Sequence, residues 1–129
     1  MKKDRIVEEW VAKAEGDYQT VLDLRAKRRI KQRYIIAFHC QQCVEKYLKA
    51  LLTSFKIAFP RHHDLEELLV LLLDVDPLLA PIRRDLKELT PFAVQFRYPG
   101  DEVTAGEVNQ AVKSTKKLRK ILRKRLQLK

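Results

Sequence analysis

Glycine occurs only three times in the chain and proline five. With so few breakers, and with Ala, Leu, Glu, Lys and Arg abundant, the composition favours helices. No strand pattern, internal repeat or separate linker is visible. Cysteine is limited to two residues, Cys40 and Cys43. A disulfide at that spacing is not expected in a cytosolic protein. A lone pair also lacks the remaining ligands of a zinc site, so both read as small core residues. No apolar run is long enough to cross a membrane. Residues 68–73 are continuously aliphatic, far short of the roughly 20 residues a span needs. The N-terminus, with Lys2, Lys3, Asp4 and Arg5, leads into an amphipathic helix and not into the apolar core of a signal peptide. A cytoplasmic location without membrane contact is therefore expected. Two further absences matter for chemistry: no acid follows Glu107, and no histidine follows Arg97.

Positive charge is plentiful. Lys and Arg total 27 against 17 acids, giving a net charge of +10. Acidic partners are compatible with this balance: RNA, DNA, nucleotides or an acidic protein. Basic charge also serves solubility. At 129 residues the chain is the size of one domain, spanning 1–129, and buries a core without staples.

Helix one is predicted from Asp4, a suitable N-cap, to about Leu24, with Ile6, Trp10, Ala14, Val21 and Leu22 as a partial apolar stripe. After a basic segment, helix two is predicted from about Gln32 to about Phe55. Asp64 and Glu67 form the capping box of a Leu-rich third helix, which ends before Pro77. A fourth helix is expected over roughly Pro77 to Gln95, kinked or restarted at Pro91 with Thr90 as N-cap. Pro99 and Gly100 suit a type II turn. Thr104 and Glu107 form a capping box that opens the last helix. The expected fold is an all-α antiparallel bundle of about five helices.

Helix two carries the most information. At about 100° per residue, Ile36, Ala37, Cys40, Cys43, Val44, Tyr47, Leu48, Leu51 and Phe55 form one apolar arc, an ordinary core face. The opposite arc gathers Phe38, Gln42, Glu45 and Lys49. A solvated face rarely wants the Phe, and a core rarely wants the other three. Two readings stand: a polar groove or partner surface, or one exposed Phe beside a salt-bridged surface. The last helix also supports two readings. Its Lys113, Lys116, Lys117, Arg119, Lys120, Arg123, Lys124 and Arg125 complement the helix dipole, or they present a surface for phosphates.

Taken together the motifs resemble those of the HEPN domain (higher eukaryotes and prokaryotes nucleotide-binding). Trp10, Ala14 and Asp17 resemble its opening helix. Phe38, Gln42, Glu45, Lys46, Leu48, Lys49 and Ala50 resemble its second-helix signature. His63, Asp64 and Leu65 resemble the entry to its third helix, and Arg97, Tyr98 and Pro99 the motif after its fourth. The four motifs occur in order over nearly the whole chain. The resemblance implies an all-α bundle, usually a homodimer, often encoded beside a minimal nucleotidyltransferase in a toxin–antitoxin-like pair. It implies binding of nucleotide or RNA phosphates and docking on that partner, with no cofactor. Expected binding residues are Arg97, Tyr98, Gln42, Glu45 and Lys49. Phe38, Gln42 and Glu45 are expected at or beside a two-fold interface. Arg97 is the best candidate for a phosphate, and Tyr98 for stacking on a base; alternatively Arg97 pairs with Glu45 or Asp101.

Many toxins of that family resemble metal-independent ribonucleases, with an Arg followed within a few residues by a His late in the bundle. Such a His moves protons near neutral pH, and the Arg holds a phosphate. The present sequence departs from that pattern, since nothing after Arg97 is histidine. The literal Arg-to-His spacing occurs instead at Arg33 and His39, early in the chain. Six residues along a helix turn about 600°, leaving these side chains about 120° apart. Arg33 and His39 are thus candidate catalytic residues for an alternative reading as a ribonuclease, with weak or no cleavage expected of the isolated protein. His62 and His63 lie in a connector, and His63 reads as a helix-entry residue. No set of His, Cys and carboxylates has metal-ligand spacing.

Overall fold

A computed structural model describes residues 4–27, 32–61, 63–94 and 99–129. The described chain forms α1 (Arg5–Ala26), α2 (Arg33–Ser54), α3 (Leu65–Leu73), α4 (Arg83–Leu89) and α5 (Ala105–Arg125), with 3-10 turns at Pro77–Ile82 and Thr90–Ala93. No strand occurs among the described residues. This is the expected all-α bundle.

The starts of α1, α3 and α5 follow from their caps. Asp4 accepts from the Ile6 amide, and Asp64 from the Glu66 and Glu67 amides. Thr104 and Glu107 make the full capping box, each side chain satisfying the other's backbone N–H. The ends of α2 and α5 share a different device. Lys56 (φ 58°) and Gln127 (φ 62°) adopt the left-handed conformation. The Ile57 amide returns to the Leu52 carbonyl and the Leu128 amide to the Arg123 carbonyl. Both ends are Schellman motifs built without glycine. Gly100 (φ 93°) supplies the positive φ that the expected Pro-Gly turn requires.

The fourth segment departs from expectation. Instead of one helix it divides into a 3-10 turn, the short α4 and a second 3-10 turn. Pro81 and Pro91 have no N–H to offer an α-helical ladder, so the backbone tightens around each. Thr90 does not cap a restart; its hydroxyl donates to the Leu86 carbonyl.

Helix α2 lies at the centre of the molecule. Cys40, Cys43, Val44, Tyr47, Leu48 and Leu52 are wholly buried. Residues Glu15 and Asp17 of α1 meet Tyr47 and Lys46 of α2, while Trp10 meets Lys49, so α1 runs antiparallel to α2. Pairs Glu15–Arg119 and Arg25–Asn109 set α1 antiparallel to α5 as well. In α3 the buried face is Leu65, Leu68, Leu69 and Leu72, each worth roughly 1.5–3 kcal/mol of burial. Two apolar assignments change. Ile6 is exposed and Val7 faces inward in its place, and Phe55 caps α2 in solvent and does not extend the core arc.

Candidate functional site

The second arc of α2 is not an open groove. Phe38 and Gln42 are half-buried, but Glu45 and Lys49 are nearly inaccessible, at 3 % and 7 % exposure. The N-terminal half of α1 and the connector after α2 cover them. Trp10 and Phe59 meet edge to face at 6.2 Å, and the Lys49 ammonium lies 5.6 and 5.7 Å from their ring centroids. The cation is thus held by aromatic faces and by Glu45, whose Oε2 accepts from Lys49 Nζ at 3.0 Å. Oε1 of Glu45 accepts from Gln41 at 3.0 Å and faces His63 Nδ1 at 2.8 Å. Gln41 also donates to the His63 carbonyl and accepts from Gln42. The network is internally satisfied, which is what a buried charge requires. It ties α1, α2 and the entry to α3 together.

Several expectations are refined here. Glu45 and Lys49 sit together but spend their charges on one another inside the subunit. Glu45 is covered by its own chain and not presented at the surface. His63 is more than a helix-entry residue, since its ring engages the buried carboxylate. Gln41, wholly buried, was absent from both arcs. Its signal was the i, i+4 spacing to Glu45. Phe38 packs edge-on against His39 at 5.3 Å.

A second carboxylate organises the neighbouring face of α2. Asp17, 7 % exposed, takes His39 Nδ1 at 2.7 Å on one oxygen and Lys46 Nζ at 2.6 Å on the other. Arg33, the residue paired with His39 by spacing, does not hydrogen-bond to it; with the two side chains about 120° apart around the helix, the ring points at Asp17 of α1 instead. With the ring neutral, a proton on Nδ1 faces the carboxylate and Nε2 becomes the acceptor. Asp17 and Lys46 stood in the sequence motifs, yet nothing in one dimension joined them to His39 across two helices.

A third cluster joins α1, α2 and α5. Glu15 receives a two-pronged hydrogen bond from Arg119 and one from the Tyr47 hydroxyl at 2.6 Å, and pairs with Arg123 at 3.4 Å, which itself donates to the Tyr47 hydroxyl. The Arg119 hydrogen bond holds the Glu15 carboxyl below its ordinary value, against the opposing effect of burial. The same pairing raises Arg119 further. Burial raises the Tyr47 phenol, reinforced by its bond to Glu15. It also pushes the Cys40 thiol up to about 11 and raises Cys43. Neither thiol is suited to nucleophilic work.

The cations of α5 divide into two sets. Arg119 also stacks on Tyr18 at 4.3 Å, Lys117 pairs with Asp85 at 3.0 Å, and Arg125 with Asp76 at 2.8 Å. Lys113, Lys116, Lys120 and Lys124 are exposed and have no ion pair among the described residues. Between the end of α4 and the start of α5 lies a cleft of about 210 Å³, with Leu89, Phe92 and Ala111 in its wall. That is smaller than the roughly 300 Å³ at which small-molecule sites begin. Arg97, Tyr98 and His62 lie outside the described residues. Among the described residues no group of three or more His, Cys, Asp or Glu could hold a metal. No described helix is long and apolar enough to cross a membrane.

A scan against family models matches the HEPN domain over residues 7–125. No curated protein and no solved structure matches the chain.

Proposed function

Because the chain belongs to the HEPN-domain family, which supports a nucleotide- or RNA-related role, we propose that it is a phosphate-binding module. It holds nucleotide or RNA through backbone charge, with Arg97 and Tyr98 as candidate contacts. It works as a homodimer beside a minimal nucleotidyltransferase, in a toxin–antitoxin-like pair. The observation that carries the phosphate reading is how the charges are distributed. Asp17, Glu45 and Asp85 are committed to cations inside or at the edge of the bundle. The surplus of positive charge is left outside, where a polyanion reaches it. The test is binding of labelled RNA and of nucleotides across salt concentrations, beside Arg97→Ala. Binding that weakens steeply with salt is expected; no binding at low salt rejects the reading. Unchanged binding by a folded Arg97→Ala protein moves the site away from Arg97. The half-exposed Phe38 supports a two-fold contact on that face of α2, and sedimentation showing only monomer would reject it.

One observation favours a second reading, a metal-independent ribonuclease. With the His39 ring neutral, its Nδ1–H directed at Asp17 leaves Nε2 as the free acceptor, the arrangement a general base needs. Cleavage of labelled RNA in EDTA by the purified protein, lost in His39→Ala, establishes this reading. Binding without cleavage retains the first.

A further inference from the structure

We infer that the outer face of α5 is the element that engages RNA phosphates, through Lys113, Lys116, Lys120 and Lys124, without reading sequence. The inference deepens the phosphate-binding reading and rests on it. The four residues recur at i, i+3, i+7 and i+11, which places them in one arc of the helix. All four are exposed. The neighbouring Lys117, Arg119 and Arg125 each have a carboxylate partner, whereas these four have none among the described residues. The same protein therefore neutralises the flanks of this helix and leaves its crest charged.

The ordinary explanation for a basic helix end is complementarity to the helix dipole. That effect fades beyond the last turn, and Lys113 and Lys116 lie in the middle of a helix running from Ala105 to Arg125. Lysines three and four apart on one face also repel one another. A row that costs helix stability and serves no internal pair is explained by an external anion. The row is roughly 16 Å long, with its charges about 5 Å apart, a spacing that several successive phosphates of one polyanion span. Lysine is a point charge with no planar fork, and its partner here is a phosphate row and not a base edge. Helix α5 is flanked by α1 through Glu15–Arg119 and by α4 through Asp85–Lys117. It does not stand proud of the bundle, so it lies along a backbone and does not enter a groove. An acidic peptide would satisfy the charge, but the family role favours RNA.

The experiment uses the full chain and a short fluorescent oligouridine. A variant with Lys113, Lys116, Lys120 and Lys124 all changed to Gln is compared with one in which Lys13, Lys56, Arg61 and Lys87 are changed to Gln. All of these are exposed, and each variant loses four charges. A third variant changes the four α5 lysines to Arg. The α5 Gln variant is expected to lose affinity at least about tenfold at low salt, and the slope of log affinity against log salt to shrink by about 3. The distributed Gln variant is expected to lose much less, and the Arg variant to bind as the wild type does. Equal losses in the two Gln variants overturn the assignment while leaving RNA binding by the protein intact. Loss in the Arg variant shows that structure and not charge is at work, and also overturns it. Displacement of the RNA by polyglutamate as effectively as by unlabelled RNA points to an acidic protein partner instead. If the wild-type chain binds no RNA at low salt, the phosphate-binding reading itself fails, and the inference with it.

Discussion

Replacing Glu45 by Gln tests whether the second arc of α2 is structural. The side chain keeps its shape and one acceptor oxygen, but Lys49 loses its counter-charge. The pair is 4 % and 9 % exposed at the side chains, so water does not replace the carboxylate. Breaking a buried pair from one side costs roughly 3–5 kcal/mol. The Trp10 and Phe59 faces still hold the unpaired ammonium, which places the cost at the lower end of that range. An expected cost of about 3 kcal/mol lowers the melting temperature by roughly 10 °C for a domain of this size. Lys49→Met should cost less, since Glu45 keeps Gln41 and His63. The double variant should cost less than the two singles together, with a coupling of roughly 1–3 kcal/mol. The assay is urea unfolding of all four proteins in one buffer. A Glu45→Gln variant within about 0.5 kcal/mol of wild type would show that the carboxylate is not buried with its cation. A coupling near zero would refute the pairing even if both singles were unstable.

Three further outcomes are expected. Glu15→Gln should destabilise by about 1–2 kcal/mol at neutral pH, because the Arg119 and Tyr47 hydrogen bonds lose their charged acceptor and Arg123 its ion-pair partner, but a third of the side chain is in water. Glu15 has a lowered folded pKa. Its contribution is therefore complete above the unfolded value of 4.5 and is lost as pH falls through the folded one. The gap between variant and wild type should close on acidification, and a gap unchanged between neutral pH and pH about 3 counts against the cluster. Cys40 and Cys43 should resist a thiol reagent in the native state and react on unfolding, since both are wholly buried and their thiolates disfavoured; fast labelling of the folded protein contradicts the packing. Leu68→Ala should cost roughly 2–5 kcal/mol in urea unfolding, whereas Val70→Ala, half-exposed on the other face of α3, should cost under about 1 kcal/mol.

Much of the scaffold was legible because it depends on neighbours along the chain. The caps at Asp4, Asp64 and Thr104 are local hydrogen bonds, and α2 begins and ends within one residue of where periodicity placed it. The apolar arc from Ile36 to Leu51 depends only on helical period. The fourth segment was read less well, since prolines at 81 and 91 choose between a kink and a 3-10 turn according to what packs around them. So was the second arc. Its mixture of Phe, Gln, Glu and Lys marks it as unusual, but neither the groove or partner-surface reading nor the salt-bridged-surface reading anticipates that Glu45 and Lys49 are buried within their own subunit.

The sequence by itself determined the all-α class, the capped starts of α1, α3 and α5, the extent of α2, the burial of the cysteines and the family. All of these rest on composition, period and local capping. Only the tertiary structure decided that Lys49 lies against Trp10 and Phe59, that Glu45 meets His63, and that His39 faces Asp17 rather than Arg33. It also decided which lysines of α5 have partners. The physical reason is common to all of these. A charge's role is set by its desolvation and by the nearest opposite charge, and for Glu45 with His63, His39 with Asp17 and Glu15 with Arg119 the partner lies 18, 22 and 104 positions away in the chain, brought near only when the helices pack.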